Sequence, residues 1–331
     1  MKFTCKLLII SLLISLLVSC NDKTVNTIPN LNNTPTETFD FSTDWSNFQY
    51  KIDTDGHVEK IMNDLCSDEY LGRVVGTKEN EKTQEYIKEY FEKLNIQPFD
   101  NTYYISNKDA LISLDENTNN VAAVIKGTDS SKAVYITAHL DHVNGKNEKP
   151  LTGAIDNASG IAVLLETAHK LKEITDKNPP SMDIVFVAFN AEELGLLGSQ
   201  NFFNKYYNTY SECYNINIDC VAQKNCNYLS MGNDDPNSET LYTAMKEVFD
   251  KENVLYDNSL YATKNGMRYG TSDHIVIREY GSPSLILGDA DIMNIVHTTD
   301  DTLDNVDYSD LEKLSDVLSK FITQNDGNTF N

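Results

Sequence analysis

Asp183-Ile184-Val185-Phe186-Val187-Ala188-Phe189, running into Asn190-Ala191-Glu192-Glu193, decides the fold of this chain. A nearly unbroken apolar run of that length reads as a strand buried on both faces. Ala133-Val134-Tyr135-Ile136-Thr137-Ala138 reads the same way, and residues 121–125, 214–218 and 284–287 add shorter strands. Between them lie helical patterns. Residues 79–94 place Tyr86, Ile87, Tyr90, Phe91 and Leu94 at helical spacing, and 158–171 is an apolar helix opened by Asp156-Asn157. Residues 238–249 and 308–322 complete the set. Strands alternating with helices predict an α/β three-layer sandwich, with a mostly parallel or mixed central sheet and helices on both faces. Ligands in such sheets gather beyond the carboxyl ends of the strands.

The polar residues that interrupt this pattern are expected just past strand ends. They are His139 and Asp141 in Ala138-His139-Leu140-Asp141, Asp156, the pair Glu192-Glu193, Asp219 in Asn217-Ile218-Asp219, and His297 in Val296-His297-Thr298. Two imidazoles and three carboxylates suit two divalent cations if one carboxylate is shared. Glu192 and Glu193 would raise each other's pKa if left unpaired, and a cation resolves that conflict. Glu193 is then a metal ligand and Glu192 a proton acceptor. Asp141 is placed to hold the free N–H of the His139 ring. A buried Asp219 needs a partner or a metal. Gly153 and Gly160 allow close backbone approach around Asp156. His142 ranks below His139 as a ligand, and His57 and His169 read as structural.

The chain has 331 residues, 40% of them apolar, and a net charge of -23. That composition supports a substantial core and argues against binding nucleic acid. Residues 1–19 have the form of a signal peptide, with Lys2 and Lys6 ahead of the apolar stretch from Leu7 to Val18. Leu17-Val18-Ser19-Cys20 resembles a lipobox, which implies a lipid anchor on Cys20 and residence in the bacterial cell envelope. Residues 20–38, rich in Asn, Thr and Pro, read as a flexible tether. A single domain is expected over 39–331. Cys66, Cys213, Cys220 and Cys226 lack zinc-knuckle spacing and read as core thiols or one disulfide.

In their order and context these motifs resemble the M28 family of zinc-dependent metallopeptidases. The resemblance runs from Leu71-Gly72-Arg73 and Gly76-Thr77, through Ala191-Glu192-Glu193-Leu194-Gly195-Leu196-Leu197-Gly198-Ser199 and Ser272-Asp273-His274, to Asp304-Asn305-Val306-Asp307. It implies one zinc held by His139, Asp156 and Asp219, and a second by Asp156, Glu193 and His297. Asp156 is then the bridge, Asp141 the orienting group and Glu192 the general base. Peptides are the implied substrates, cut by an exopeptidase acting at the N-terminus. The stretch between Phe99 and His139 is too short for the protease-associated domain that some relatives insert there. Three alternatives stay open: a carboxypeptidase or dipeptidase, a glutaminyl-cyclase-like enzyme, and a non-catalytic binding domain. Tyr261, Met267 and Tyr269 are candidates for the pocket wall.

Overall fold

The structure, a computed structural model, describes residues 57–331 except 111–113, 115, 146–148, 227–228, 232–234, 258–262, 265–266, 269–270, 291 and 293. The signal sequence, Cys20, the tether and the expected start of the domain lie outside the described residues. So do Tyr261, Tyr269 and the side chain of Met267.

The strands are β1 (Gln97–Pro98), β2 (Tyr104–Ser106), β3 (Asn119–Ile125), β4 (Asp129–His139), β5 (Met182–Phe189), β6 (Glu212–Ile218), β7 (Leu229–Met231), β8 (Tyr256–Asp257), β9 (Thr263–Lys264), β10 (Met267–Arg268) and β11 (Ser284–Asp289). The helices are α1 (His57–Leu65), α2 (Lys78–Lys93), α3 (Ser159–Thr175), α4 (Leu197–Tyr206), α5 (Glu239–Lys251), α6 (His274–Arg278) and α7 (Tyr308–Gln324). Nine strands form one sheet in the order β1-β3-β5-β4-β6-β11-β7-β8, with β2 also on β3. The central four, β5, β4, β6 and β11, run parallel. β3 and β7 flank them antiparallel, so the sheet is mixed.

Strand alternation sends neighbouring side chains to opposite faces, and the two faces meet different helices. Val185, Val187 and Phe189 join Phe202 and Phe203 of α4 and Val276 and Ile277 of α6 in one cluster. Phe186 faces the other way, onto Phe91 of α2 at 6.0 Å between ring centroids. All of β5 is buried, as its apolar run requires. Three layers follow from these contacts.

β4 pairs with β5 on one side and β6 on the other, so the chain switches direction across the sheet at β4. In parallel sheets the crevice at such a point is where ligands sit. α3 carries the start of this crevice. Before it, Ala154–Ala158 form a wide turn in which Asp156 and Asn157 leave helical angles, joined by a cis peptide. The predicted helix over 158–171 therefore opens one residue later and runs to Thr175. α1 was not expected, although Val58, Ile61, Met62 and Leu65 are its buried stripe. No disulfide joins Cys66, Cys213, Cys220 or Cys226, which removes the single-bridge alternative. Among the described residues no helix is long and apolar enough to cross a membrane.

Candidate metal centre

His139 is the last residue of β4, and its Nε2 lies 3.3 Å from Asp156 Oδ1 and 3.2 Å from Asp219 Oδ1. Asp219 follows β6 directly, its N–H tied to the Leu287 carbonyl of β11 at 2.9 Å. His297 Nε2 lies 3.0 Å from Asp156 Oδ2 and 3.1 Å from Glu193 Oε1. Two donor groups therefore form, one of His139, Asp156 and Asp219, the other of His142, Asp156, Glu193 and His297. Asp156 belongs to both. All five residues singled out as ligands meet in one place.

Two of them do not follow strand ends as expected. Asp156 sits in the wide turn before α3, and His297 in a turn well past β11, with φ 58° and a half-exposed ring. A long connection that folds back was invisible to strand-end reasoning. Asp156 is instead fixed from outside: Asp301 accepts from the Ile155 N–H at 2.6 Å and the Asp156 N–H at 3.1 Å. Asn157 accepts from the Gly160 N–H at 2.9 Å and donates to the Ile218 carbonyl at 3.0 Å. A Cβ at Gly160 would stand 2.3 Å from Asn157 Oδ1, and one at Gly153 (φ +62°) 2.6 Å from the His142 ring, so both sites exclude larger residues.

Asp141 has a different reach from the one its spacing suggested. His139 Nδ1 is 3.2 Å from the Asp141 main-chain carbonyl and 3.8 Å from its carboxylate. That carboxylate accepts the backbone N–H groups of Glu192 at 3.1 Å and Glu193 at 3.2 Å. β4 ends at His139, so period-two alternation no longer governs position 141. Glu192 and Glu193 occupy a tight turn ahead of α4, with the Glu192 carbonyl accepting from Gly195 and Leu196 at 2.8 Å each.

His142 is more central than its rank in the sequence implied. Its ring is buried, and its Nδ1 lies 3.3 Å from Glu193 Oε1 and 3.6 Å from Asp156 Oδ2. Neither ring nitrogen makes a hydrogen bond. Arg73, in the Leu71-Gly72-Arg73 motif, also bears on the site. Only 1% exposed, it donates to the carbonyls of Leu65, Leu140, Thr152 and Gly153 at 2.7–3.2 Å. It thereby ties the segment after β4 to the one before Asp156.

The electrostatics are those of carboxylates crowded about too few cations. Burial pushes the Glu192 carboxyl well above the usual range, and the charges of Asp273, Asp219 and Glu193 add to this against the pull of His139. Burial opposes ionisation of Asp156, yet its bonds to His139 and His297 hold it well below the ordinary value. Bonds to Asp156 and Glu193 push His297 up to about 10. Burial also lifts Asp273 to about 7, despite the nearby His139 and Ser199. A buried imidazole lacking hydrogen bonds, set beside closely spaced carboxylates, is a donor set that a divalent cation completes.

Fold and donor set together define an α/β protein with groups at its strand ends and on adjoining turns that could hold metal ions. The profile of Peptidase family M28 matches residues 120–322, more than half of the chain. The chain belongs to that family, whose members include zinc metallopeptidases. It is 28% identical to Aminopeptidase YwaD of Bacillus subtilis over 242 residues, which cover 68% of this chain and 50% of that protein. The chain thus spans about half the length of the curated relatives it matches. Its fold is similar to that of the Legionella pneumophila LapA aminopeptidase, with a TM-score of 0.65, 20% identity, and coverage of 81% of this chain and 71% of that one. A Fimbriiglobus ruber glutaminyl cyclase shares the fold at a TM-score of 0.62 and 20% identity, covering 83% of this chain and 96% of that one.

Proposed function

We propose that this chain is a zinc-dependent exopeptidase that releases residues from the N-termini of peptides. One observation carries the reading: two donor groups share Asp156, and the Glu192 carboxyl, in the turn after β5, is acted on by the charges of His139, Asp219 and Glu193 in those groups. In this reading one zinc is held by His139, Asp156 and Asp219, and the second by Asp156, Glu193 and His297. His142 is within reach of the second group. The aminopeptidase name carried by a relative favours N-terminal polarity.

When bound, zinc supplies Lewis acidity, acidifying water and polarising the scissile carbonyl. The residues of the chain do the rest. Glu192 takes a proton from the attacking water at its carboxylate and passes it to the amine nitrogen as the C–N bond breaks. Asp141 keeps Glu192 in place by holding its N–H and that of Glu193. Glu192→Gln is expected to retain zinc while losing about two orders of magnitude or more in turnover of amino-acid arylamides. Near-normal hydrolysis by that variant, with zinc content checked by elemental analysis, overturns the assignment. Pyroglutamate formation from a Gln-terminal peptide without hydrolysis would instead identify a cyclase.

We also propose that the chain is exported and anchored by lipid on Cys20, on the strength of the sequence pattern at residues 1–20. Cys20→Ala should shift the protein from the membrane pellet to the soluble fraction of the producing cells.

A further inference from the structure

Away from this centre, His57 of α1 and His169 of α3 bring their Nδ1 atoms within 3.1 Å of each other. Glu166, one helical turn before His169, points Oε2 at the same spot, 3.7 Å from His57 Nδ1 and 3.8 Å from His169 Nδ1. These residues had read as structural, and a shared hydrogen bond between two imidazoles accounts for the first distance alone. Glu166 Oε2 stands at ion-pair range of both rings and raises the His169 pKa, an attraction that either a proton on the rings or a cation between them satisfies. That oxygen is buried and has no hydrogen-bond partner, both imidazole nitrogens lying beyond hydrogen-bond reach. The nearest ammonium, Lys170, lies 3.6 Å from the other oxygen, Oε1, and is engaged by Asp316 at 2.6 Å and Ser315 at 2.7 Å.

We propose that His57, Glu166 and His169 form a second, structural metal site for a divalent transition ion of the zinc type, which staples α1 to α3. The three atoms form a triangle of sides 3.1, 3.7 and 3.8 Å. Its centre lies about 2.1 Å from each corner, the bond length of zinc to imidazole nitrogen and carboxylate oxygen. Two imidazoles with one carboxylate suit zinc and its neighbours better than calcium or magnesium. The rings are partly exposed, at 35% and 22% of their side-chain surface, so an ion can enter and water can fill the fourth position. Metal ligation through Nδ1 leaves Nε2–H of His169 facing Glu173 Oε1 on the next turn of α3, 3.6 Å away at ion-pair rather than hydrogen-bond distance. Glu166 and His169 lie about three to four helical turns beyond Asp156 in sequence, so the site is separate from the one described above.

The test is a zinc count by elemental analysis on the full chain and on His57→Gln, His169→Gln and the double variant, each equilibrated in the same buffered free zinc. Wild type should hold one zinc per chain more than every variant, the double variant should match the singles, and arylamide hydrolysis should be unchanged. Equal zinc content in wild type and both single variants would overturn the proposal, leaving only a hydrogen-bonded imidazole pair. Both rings are partly exposed, and a circular-dichroism melt verifies that each variant is folded. Because the readout is a difference between variants, it stands apart from the number of ions in the main centre. One zinc in wild type and none in the variants would sink the dinuclear reading and keep this one.

Discussion

Asp141 shows how one carboxylate can set the position of a neighbouring pair of acids without touching either acid group. Its two oxygens each accept one backbone N–H, from Glu192 and Glu193, and so fix the turn from which those side chains project. Asn at this position keeps one acceptor and places an amide N–H against the other donor. Asp141→Asn is therefore expected to retain the fold and to lose about 10–100-fold in kcat/KM or zinc affinity, the usual cost of disturbing a group behind a metal ligand. Arylamide kinetics alongside zinc titration separate the two, and wild-type values in both would remove Asp141 from this role. His142 is the other residue whose setting carries a prediction. Buried without a hydrogen bond beside Glu193 and Asp156, it would add to cation affinity in the second donor group under the proposed reading. His142→Gln should weaken zinc binding by about tenfold or more, read by competition with a chromophoric chelator.

At the scale of elements, the site depends on braces that join segments far apart in sequence. Arg73 spans the carbonyls of Leu65 at the end of α1, Leu140 after β4, and Thr152 and Gly153 before the Asp156 turn. Arg73→Met leaves those carbonyls without their donor and should cost about 3–5 kcal/mol, seen as a lower urea midpoint. The end of β11 makes a pH-dependent contribution. Burial lifts Asp289 to about 7, although its carboxylate accepts the Gln223 N–H at 2.6 Å. The native chain thus keeps a proton that the unfolded chain releases near pH 4, and the stability held by that proton falls as pH rises from about 4 through 7. Asp289→Asn should be more stable than wild type at pH 8 by up to about 4 kcal/mol, with the gap closing toward pH 4. Parallel denaturation curves at every pH would contradict it. The central strands and long helices were legible because β4, β5, β6 and α2 carry unbroken or periodic apolar runs. The short β1, β2 and β7 at the sheet margins carry too few residues for a period. His139, Asp156, Glu193, Asp219 and His297 were legible as a donor set through motif and spacing. Arg73 and Asp301 were not, because their partners are main-chain groups, which leave no mark on composition.

For the whole molecule, the donor groups draw on five separate segments: the ends of β4, β5 and β6, the turn before α3, and the loop carrying His297. Cations bound there would act as cross-links across the sheet, so their removal should be felt globally. The charge balance points the same way. Asp141, Asp156, Glu192, Glu193, Asp219, Asp273 and Asp301 surround His139, His142 and His297, and the carboxyls of Glu192 and Asp273 are driven up by burial. Stripping metal with a chelator is expected to lower the Tm by about 5–10 °C, from the few kcal/mol that a tightly held ligand contributes. Asp156→Asn separates the two causes. In the zinc-loaded protein it removes a ligand common to both groups, and its Tm should fall below that of wild type. In chelator the metal-held part of that gap is gone and only the ion pairs of Asp156 with His139 and His297 are lost, so the gap should narrow without reversing. A wild-type Tm unmoved by verified loss of metal would mean that the sheet closes around these carboxylates without any need of cations.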